Sequence, residues 1–128
     1  MEKEQIKKMI EIALSQLAYS YTPYSDFKVG AALLAKNGQI YTGCNIENAA
    51  YGPTVCAERC AIFKAVSEGE RSLKAIAIAG GSEKETDILS GYAFPCGVCR
   101  QVMREFAKDA SFKVIVARST AEYQIFSL

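Results

Sequence analysis

The chain has 128 residues and a mass of 14.0 kDa, and half of its residues are hydrophobic, which suits one domain with one substantial core. Its net charge of +1, from 15 basic and 14 acidic residues, supplies no broad basic field for a nucleic-acid backbone. No apolar run approaches the roughly 20 residues of a membrane span, and the charged start "MEKEQIKK" lacks the apolar core of a signal peptide, so we expect a cytoplasmic protein that binds neither membrane nor nucleic acid.

The first part of the chain predicts one helix followed by a pair of strands. Apolar residues recur at helical spacing over residues 6–18 and indicate an amphipathic helix, which ends before the loop "SYTPYSDF". The apolar runs "KVGAALLA" and "QIYTGC" then flank an Asn-Gly dipeptide, which is a strong short-range signal for a hairpin. We therefore expect strands near residues 28–35 and 39–44.

The remainder predicts two more helices and three more strands. After the loop "NIENAAYGPT", a helix capped by Thr54 is expected to run to about Glu68. The run "LKAIAIAG" is typical of a buried strand, and the polar segment "GSEKETDILSG" follows it. Pro95 is expected to open a third helix that continues through about Lys108. The runs "FKVIVA" and "EYQIFS" predict the last two strands.

The order of these elements, α, β, β, α, β, α, β, β, predicts an α/β fold. A three-layer α/β/α sandwich with a five-stranded mixed sheet accommodates that order. The strand-helix-strand unit between the third and fourth strands should be parallel and right-handed. The four residues "RSTA" are too few for a crossover, so the last two strands should be antiparallel.

The cysteines are the residues most suggestive of chemistry, because the chain has no histidine. Proton transfer must then fall to carboxylates, thiols or metal-bound water. The odd number of cysteines and the absence of an export signal disfavour a disulfide framework and favour thiolate chemistry. The five are Cys44, Cys56, Cys60, Cys96 and Cys99.

Three of these cysteines are expected to meet. Cys96 and Cys99 form a C-x-x-C unit, which by itself fits a metal site, a redox dithiol or simple packing. Cys56 also stands at a predicted helix start, and the two helices flank one buried strand, so their starts should converge at one end of the sheet. Three thiolates there would bind zinc and leave its fourth position open, as in catalytic zinc sites. Glu58 would then accept a proton from water whose pKa zinc lowers to about 7, and deliver that proton to a substrate nitrogen.

Two features of this site have competing interpretations. Three thiolates outweigh the charge of Zn²⁺, so we hypothesise that Arg59 donates to a ligand sulfur and restores the acidity of the metal; the alternative is a solvated arginine on a helix face. Cys60 lies one turn beyond Cys56, and it either packs in the core or completes a closed, four-cysteine structural site.

The longer motifs resemble those of a known family. "CAER", starting at Cys56, and "PCGVC", starting at Pro95, match the C-x-E and P-C-x-x-C halves of the zinc-dependent nucleoside and base deaminases. The segments "PYSDFKVGAALL", "GCNIENAAYG" and "CAERCAIFKAVSEG" resemble corresponding segments of the small cytidine deaminases, so residues 1–128 look like one domain of that type. The resemblance implies the cytidine deaminase fold and one zinc ion per subunit. It also implies hydrolytic deamination of cytidine and 2'-deoxycytidine to uridine and 2'-deoxyuridine, with release of ammonia, in pyrimidine salvage.

The resemblance also implies a role for individual residues. Zinc would be held by Cys56, Cys96 and Cys99, with Glu58 as the proton shuttle. The substrate would be bound by Asn45 and Glu47 at the ribose hydroxyls, Phe27 at the pyrimidine ring and the backbone of Ala57 at the base edge. A homotetramer is implied as well, in which Ala49 and Tyr51 contribute to a neighbouring site.

The sequence departs from the family pattern at its end. Family members usually continue with an E-L-L-P segment and an aromatic residue that closes a neighbour's site, whereas this sequence stops at "YQIFSL", and Phe126 lies within the last predicted strand.

Two other functions compete with cytidine deamination. A deaminase of polynucleotides or of a nucleoside-like antibiotic would lack the "NIEN" pair, and a structural zinc module would have a closed metal shell that does not depend on Glu58.

Overall fold

The structure is a computed structural model that describes residues 1–84, 87, 89, 91–107 and 110–128. The predicted order of helices and strands is confirmed in these residues. Within them, no helix combines the length and the apolar character that crossing a bilayer requires. The elements are α1 (Lys3–Ser15), a short 3₁₀ helix (Gln16–Tyr19), β1 (Phe27–Ala35), β2 (Ile40–Cys44), α2 (Ala57–Ser67), β3 (Leu73–Ser82), α3 (Gly97–Phe106), β4 (Lys113–Ala117) and β5 (Tyr123–Ser127).

The strands form one mixed sheet in the order β2-β1-β3-β4-β5. β1 is antiparallel to both β2 and β3, β3 is parallel to β4, and β4 is antiparallel to β5. The parallel pair is the one joined through a helix, since a parallel connection must return the chain to the same end of the sheet. The predicted parallel and antiparallel pairs are both confirmed.

Helices cover both faces of the sheet, which confirms the predicted three-layer sandwich. α1 packs on one face through a stripe at helical spacing, and burying one large side chain of such a stripe stabilises the fold by about 1.5–3 kcal/mol. α2 and α3 pack on the opposite face, against alternate residues of the same strands. The buried stripe of α1 consists of Ile6, Met9, Ile10 and Ala13.

A glycine in β2 lets α2 approach the sheet closely. A Cβ atom at Gly43 would lie 2.6 Å from the backbone nitrogen of Ala61 and would also collide with the carbonyl oxygen of Ala57. Only glycine fits beneath the first turns of α2 at this distance. This close contact fixes the beginning of α2, where Glu58 lies.

The starts of two helices differ from the sequence-based expectations. α2 begins at Ala57 with Cys56 as its N-cap, so the predicted cap at Thr54 is wrong. The hydroxyl oxygen of Thr54 instead accepts a hydrogen bond of 3.0 Å from the backbone N–H of Asn48, and it is therefore used in the preceding loop.

α3 begins at Gly97 with Cys96 as its N-cap, so Pro95 precedes the helix instead of opening it. The helix ends at Phe106, and the predicted end at Lys108 lies outside the described residues. Part of the polar segment predicted after β3 lies outside them as well.

Candidate metal centre and active site

Three cysteine sulfurs meet at the start of α2 and α3. The Sγ atoms of Cys56, Cys96 and Cys99 all lie within 4.8 Å of one another. The separation between the sulfurs of Cys56 and Cys96 is 3.9 Å. Sulfurs that share one tetrahedral zinc ion, with Zn–S bonds of about 2.3 Å, are separated by about 3.8 Å. The donor type and the spacing of the three thiols therefore fit one zinc ion.

The topology of the sheet brings these cysteines together. β2 and β3 both lie antiparallel to β1, so they point in the same direction. α2 follows β2 and α3 follows β3, and both helices therefore start at the same edge of the sheet. Cys56 and Cys96 are the two N-caps, and the Cys96 sulfur accepts a hydrogen bond of 3.5 Å from the backbone N–H of Cys99. The partial positive charge of two helix N-termini favours thiolates at this point.

The sulfur cluster contains three cysteines of the described chain, and Cys60 is not among them. Cys56, as the N-cap, has extended backbone angles of φ −78° and ψ 158°, so its side chain does not follow the helical spacing that would bring it alongside Cys60. The closed four-cysteine site is thus not what the described residues form, and a zinc ion on three sulfurs keeps a position for water or substrate.

The three thiols differ in acidity. A hydrogen bond from the Cys99 thiol lowers the pKa of Cys56 to about 5, with a further contribution from Arg59 and against the effect of desolvation. The same hydrogen bond, together with burial, raises the pKa of Cys99 above its ordinary range. This hydrogen bond favours the thiolate form of Cys56 and the protonated form of Cys99, and a metal ion that binds both sulfurs releases the shared proton.

Arg59 reaches the cluster from the first turn of α2. Its Nη2 donates a hydrogen bond of 3.5 Å to the sulfur of Cys56, which in turn raises the pKa of Arg59. Its Nε is buried and has no hydrogen-bond partner among the described residues. The guanidinium thus lies against a metal ligand, in the position that the hypothesis for Arg59 requires.

Glu58 is a buried carboxyl group beside the sulfurs. Glu58 is only 4% exposed, although it lies in the first turn of α2. Desolvation raises the pKa of Glu58 to about 7, and the negative charge of Cys56 adds to the effect. A carboxyl group with a pKa near neutrality is suited to taking up and giving back a proton.

Glu58 lines a cavity of about 320 Å³, here called the Glu58 cavity. This volume falls at the small end of the range for small-molecule sites. The wall contains both predicted and unpredicted residues. It is lined by Ser25, Phe27, Val29, Asn45, Glu47, Thr54, Val55, Cys56, Ala57, Glu58, Tyr92, Ala93, Phe94 and Cys96.

Asn45 shapes one wall of the cavity through hydrogen bonds to the backbone of β1. Its Nδ2 donates to the carbonyl oxygen of Phe27 at 2.7 Å, and its Oδ1 accepts from the N–H of Val29 at 3.0 Å. The amide therefore holds Phe27, the first residue of β1, at the cavity. A second acceptor position remains on Oδ1 and a second donor on Nδ2 for a ligand.

Glu47 is held by the loop that precedes β1. Its Oε1 accepts from the backbone N–H groups of Tyr24, at 3.0 Å, and Ser25, at 3.1 Å, and its Oε2 accepts from the hydroxyl of Ser25. Desolvation acts to raise the pKa of Glu47, but these hydrogen bonds outweigh it and hold the pKa below its ordinary value. An ionised carboxylate at this place is an acceptor for ligand hydroxyl groups.

The comparisons with known proteins agree with this geometry. The sequence profile of the family described as "Cytidine and deoxycytidylate deaminase zinc-binding region" matches residues 3–116. The chain belongs to this family. It is 52% identical over 105 residues to the cytidine deaminase of Sporosarcina psychrophila, an alignment that covers 82% of this chain and 72% of that protein. It is also 45% identical over 116 residues to the cytidine deaminase of Halalkalibacterium halodurans, covering 91% of this chain and 82% of the relative.

Solved structures of family members extend the agreement to the fold. The crystal structure of cytidine deaminase from Burkholderia pseudomallei superposes with a TM-score of 0.80 at 40% identity, and the match covers 94% of this chain and 90% of that one. The family inferred from the motifs, the cytidine deaminase fold and the zinc cofactor are thereby confirmed, the last by the zinc-binding family together with the sulfur cluster.

Two residues that the family resemblance implies for the site lie outside the Glu58 cavity. Ala49 and Tyr51 are exposed, Tyr51 by 93%, and they lie at a neighbouring depression that also includes Glu47. A contribution to the site of a neighbouring subunit stays a prediction for both residues.

Sequence reasoning missed three prominent members of the cavity wall of this deaminase-family protein. Ser25 belongs to the "PYS" motif, and this motif was the sequence signal from which a role for Ser25 could have been predicted. Tyr92 and Phe94 carry no periodic or motif signal beyond their nearness to Cys96. The positions of Tyr92 and Phe94 depend on the path of the segment before α3 across the edge of the sheet. That path is determined by tertiary packing and not by local sequence.

Proposed function

We propose that this protein hydrolytically deaminates cytidine and 2'-deoxycytidine to uridine and 2'-deoxyuridine, with release of ammonia, in pyrimidine salvage. The observation that carries the proposal is that the buried Glu58 lines the same cavity as two of the three clustered cysteines, Cys56 and Cys96. The proteins named cytidine deaminase that are up to 52% identical to the chain support the same substrate class.

The residues of the cavity suggest how the reaction proceeds. Zn²⁺, when held by Cys56, Cys96 and Cys99, supplies a Lewis acid that brings the pKa of water to about 7. Glu58 takes a proton from the attacking water and delivers it to N3 of the base. It then moves a proton to the departing amino group, which leaves as ammonia. One water molecule is consumed for each base converted.

The remaining predicted residues orient the nucleoside. Phe27 offers its ring to the pyrimidine, and Ala57, at the first position of α2, offers backbone groups to the edge of the base. Asn45 and Glu47 face the sugar, because an amide and a carboxylate suit a pair of hydroxyl groups. All four residues line the Glu58 cavity, which supports their assignment.

An assay of cytidine and deoxycytidine by loss of absorbance, before and after removal of zinc, tests the proposed function. Turnover that depends on zinc is the expected result. A zinc-loaded protein that is inert to both nucleosides would contradict the proposal and favour the nucleoside-like antibiotic or the structural zinc module.

Glu47→Gln is expected to raise the KM for cytidine about tenfold and to change kcat much less. The substitution removes a charged acceptor for the sugar, and a hydrogen bond to a charged group contributes about 1.5–3 kcal/mol. Steady-state kinetics with cytidine measure the effect. Glu70→Gln is the matched control, because Glu70 is also partly buried and accepts a backbone hydrogen bond, from Ser72 at 2.8 Å. An unchanged KM in Glu47→Gln would remove Glu47 from the substrate site.

Arg59→Ala is expected to retain zinc and to lower kcat about tenfold. The variant removes the cation that offsets the charge of three thiolates, so the metal becomes a weaker activator of water. Zinc content and kcat are measured together. Arg100→Ala is the control, since Arg100 directly follows Cys99 on α3 but is exposed. Full turnover in zinc-loaded Arg59→Ala would show that Arg59 does not tune the metal.

We also propose that residues 1–128 act as a single cytoplasmic domain and that four copies form the active protein. Both core clusters pack on the same sheet, which supports one domain. The large exposed ring of Tyr51 beside the cavity supports a site completed by a neighbouring subunit. Sedimentation equilibrium measures the number of subunits, and a monomer with full activity would contradict this part of the proposal.

A further inference from the structure

A second aromatic ring, Phe94, lies on the wall of the Glu58 cavity. It stands two residues before Cys96 and is 59% exposed. It lines the same cavity as Phe27 and Glu58, and it also borders an adjoining cavity of about 250 Å³. Phe94 is thus a large apolar surface at the edge of a cavity that contains polar and titratable groups.

Two neighbouring aromatic rings hold Phe94 in place in spite of its exposure. Its ring centroid lies 6.2 Å from that of Tyr92, with the planes inclined by 47°. It lies 5.9 Å from the centroid of Phe126, in an edge-to-face arrangement with an angle of 64°. Both distances fall within the range of favourable aromatic pairs. Pro95 further restricts the backbone of Phe94 to extended conformations.

The contact with Phe126 joins the cavity wall to the edge strand of the sheet. Phe126 belongs to β5, which pairs with β4 at Val114. The ring of Phe94 is therefore supported by an element of regular structure, although Phe94 itself lies in the segment before α3. The contacts with Tyr92 and Phe126 therefore favour one orientation of the Phe94 ring.

Phe27 and Phe94 come from different parts of the chain and line one cavity. Phe27 is the first residue of β1, and Phe94 lies between β3 and α3. A planar heteroaromatic base gains most from a site that offers it aromatic surface, because base–aromatic stacking contributes about 1–3 kcal/mol per base. Phe27 and Phe94, together with Tyr92, are the aromatic residues among the described residues that line the cavity.

We propose that Phe94 is a substrate-contacting residue that forms a second aromatic wall for the pyrimidine nucleoside, and that Phe126 positions its ring from β5. The inference rests on the proposed function, because it names a contact for the same substrate. It predicts that the protein favours ligands with a planar aromatic base, and that the contribution of Phe94 is to binding.

The test compares Phe94→Ala and Phe94→Leu with the wild-type protein and with Phe94→Tyr. Both non-aromatic variants are expected to raise the KM for cytidine about tenfold, with kcat changed less than threefold, since stacking is gained equally in the bound substrate and the transition state. The inhibition constant of uridine should rise by the same factor, and Phe94→Tyr should keep the wild-type KM. Zinc content should be unchanged in all three.

Phe126→Ala tests the positioning role. It is expected to raise KM by a smaller factor than Phe94→Ala, and the double variant should have the KM of Phe94→Ala alone, because Phe126 acts through Phe94. Val98→Ala is the control, since Val98 is exposed near the same loop and does not line the cavity.

The outcomes separate this inference from the proposed function. A wild-type protein inert to cytidine would remove the proposed function and this contact with it. An active wild-type protein with unchanged KM in zinc-loaded Phe94→Leu would overturn the contact and leave the function standing. Phe94→Leu decides the matter if Phe94→Ala does not fold, because leucine keeps the apolar volume and removes only the aromatic face.

Discussion

Glu58→Gln is expected to keep zinc bound and to lower the turnover of cytidine by at least about 100-fold, the lower end of what general acid–base catalysis contributes. Glutamine has nearly the same shape as glutamate, so the buried position is filled as before. Its amide does not take up and release a proton near neutral pH, however, so it can transfer a proton neither to N3 nor to the leaving amine. Zinc per chain and kcat, measured on the same preparation, check the result.

Glu68→Gln is the matched control for that experiment. Glu68 caps the carboxyl end of the same helix and is exposed, so it should keep the wild-type kcat. A Glu58→Gln variant that retained a sizeable fraction of the turnover would refute the assignment of Glu58 as the proton shuttle. The structural zinc module would then become the better interpretation, because it requires no carboxyl group beside the metal.

The meeting of Cys56, Cys96 and Cys99 was predictable because it depends on local patterns and on a simple topological rule. Each cysteine stands at a helix start that the sequence marks, and two helices that flank one strand begin at the same edge of the sheet. The signals for the strands were equally local, since a strand buried on both faces, such as β3, shows a nearly continuous apolar run within ten residues. The sequence pattern and the order of the elements were therefore sufficient to predict the strands and the meeting of the three cysteines.

The helix caps were not predictable in the same way. Threonine is a preferred N-cap residue and cysteine is not, so propensity favours Thr54, but the position of the cap also depends on which side chain the loop already uses. The hydroxyl of Thr54 is taken by the backbone of Asn48, a contact across the loop between β2 and α2. A propensity for caps does not contain that information, and the same holds for Pro95, which lies before α3 because Cys96 takes the cap.

The difference between Cys56 and Cys60 shows the same limit at the site itself. A spacing of four residues within a helix would put both sulfurs on one face. Cys56 lies one position before the helix, in extended conformation. Its sulfur therefore joins the cluster with Cys96 and Cys99, and Cys60, inside the helix, is not a member of that cluster. The contact between Phe94 and Phe126 was beyond prediction for a related reason, since it depends on the packing of β5 against the segment before α3.

Cys99→Ala is expected to lower the affinity for zinc by more than about 100-fold and to abolish turnover of cytidine. Loss of a partner outside the ligand set already costs 10–100-fold in metal affinity, and Cys99 is itself one of three sulfurs and the hydrogen-bond donor to the Cys56 thiolate. The small void left in the core costs about 1 kcal/mol, which is much less than the 5–15 kcal/mol that stabilise a typical domain, so the variant should still fold. Zinc per chain after dialysis, circular dichroism and the cytidine assay measure the three effects. Cys60→Ala is the matched control and should keep both zinc and turnover; equal loss of zinc in the two variants would restore the closed four-cysteine site, and retention of zinc in Cys99→Ala would remove Cys99 from the ligand set.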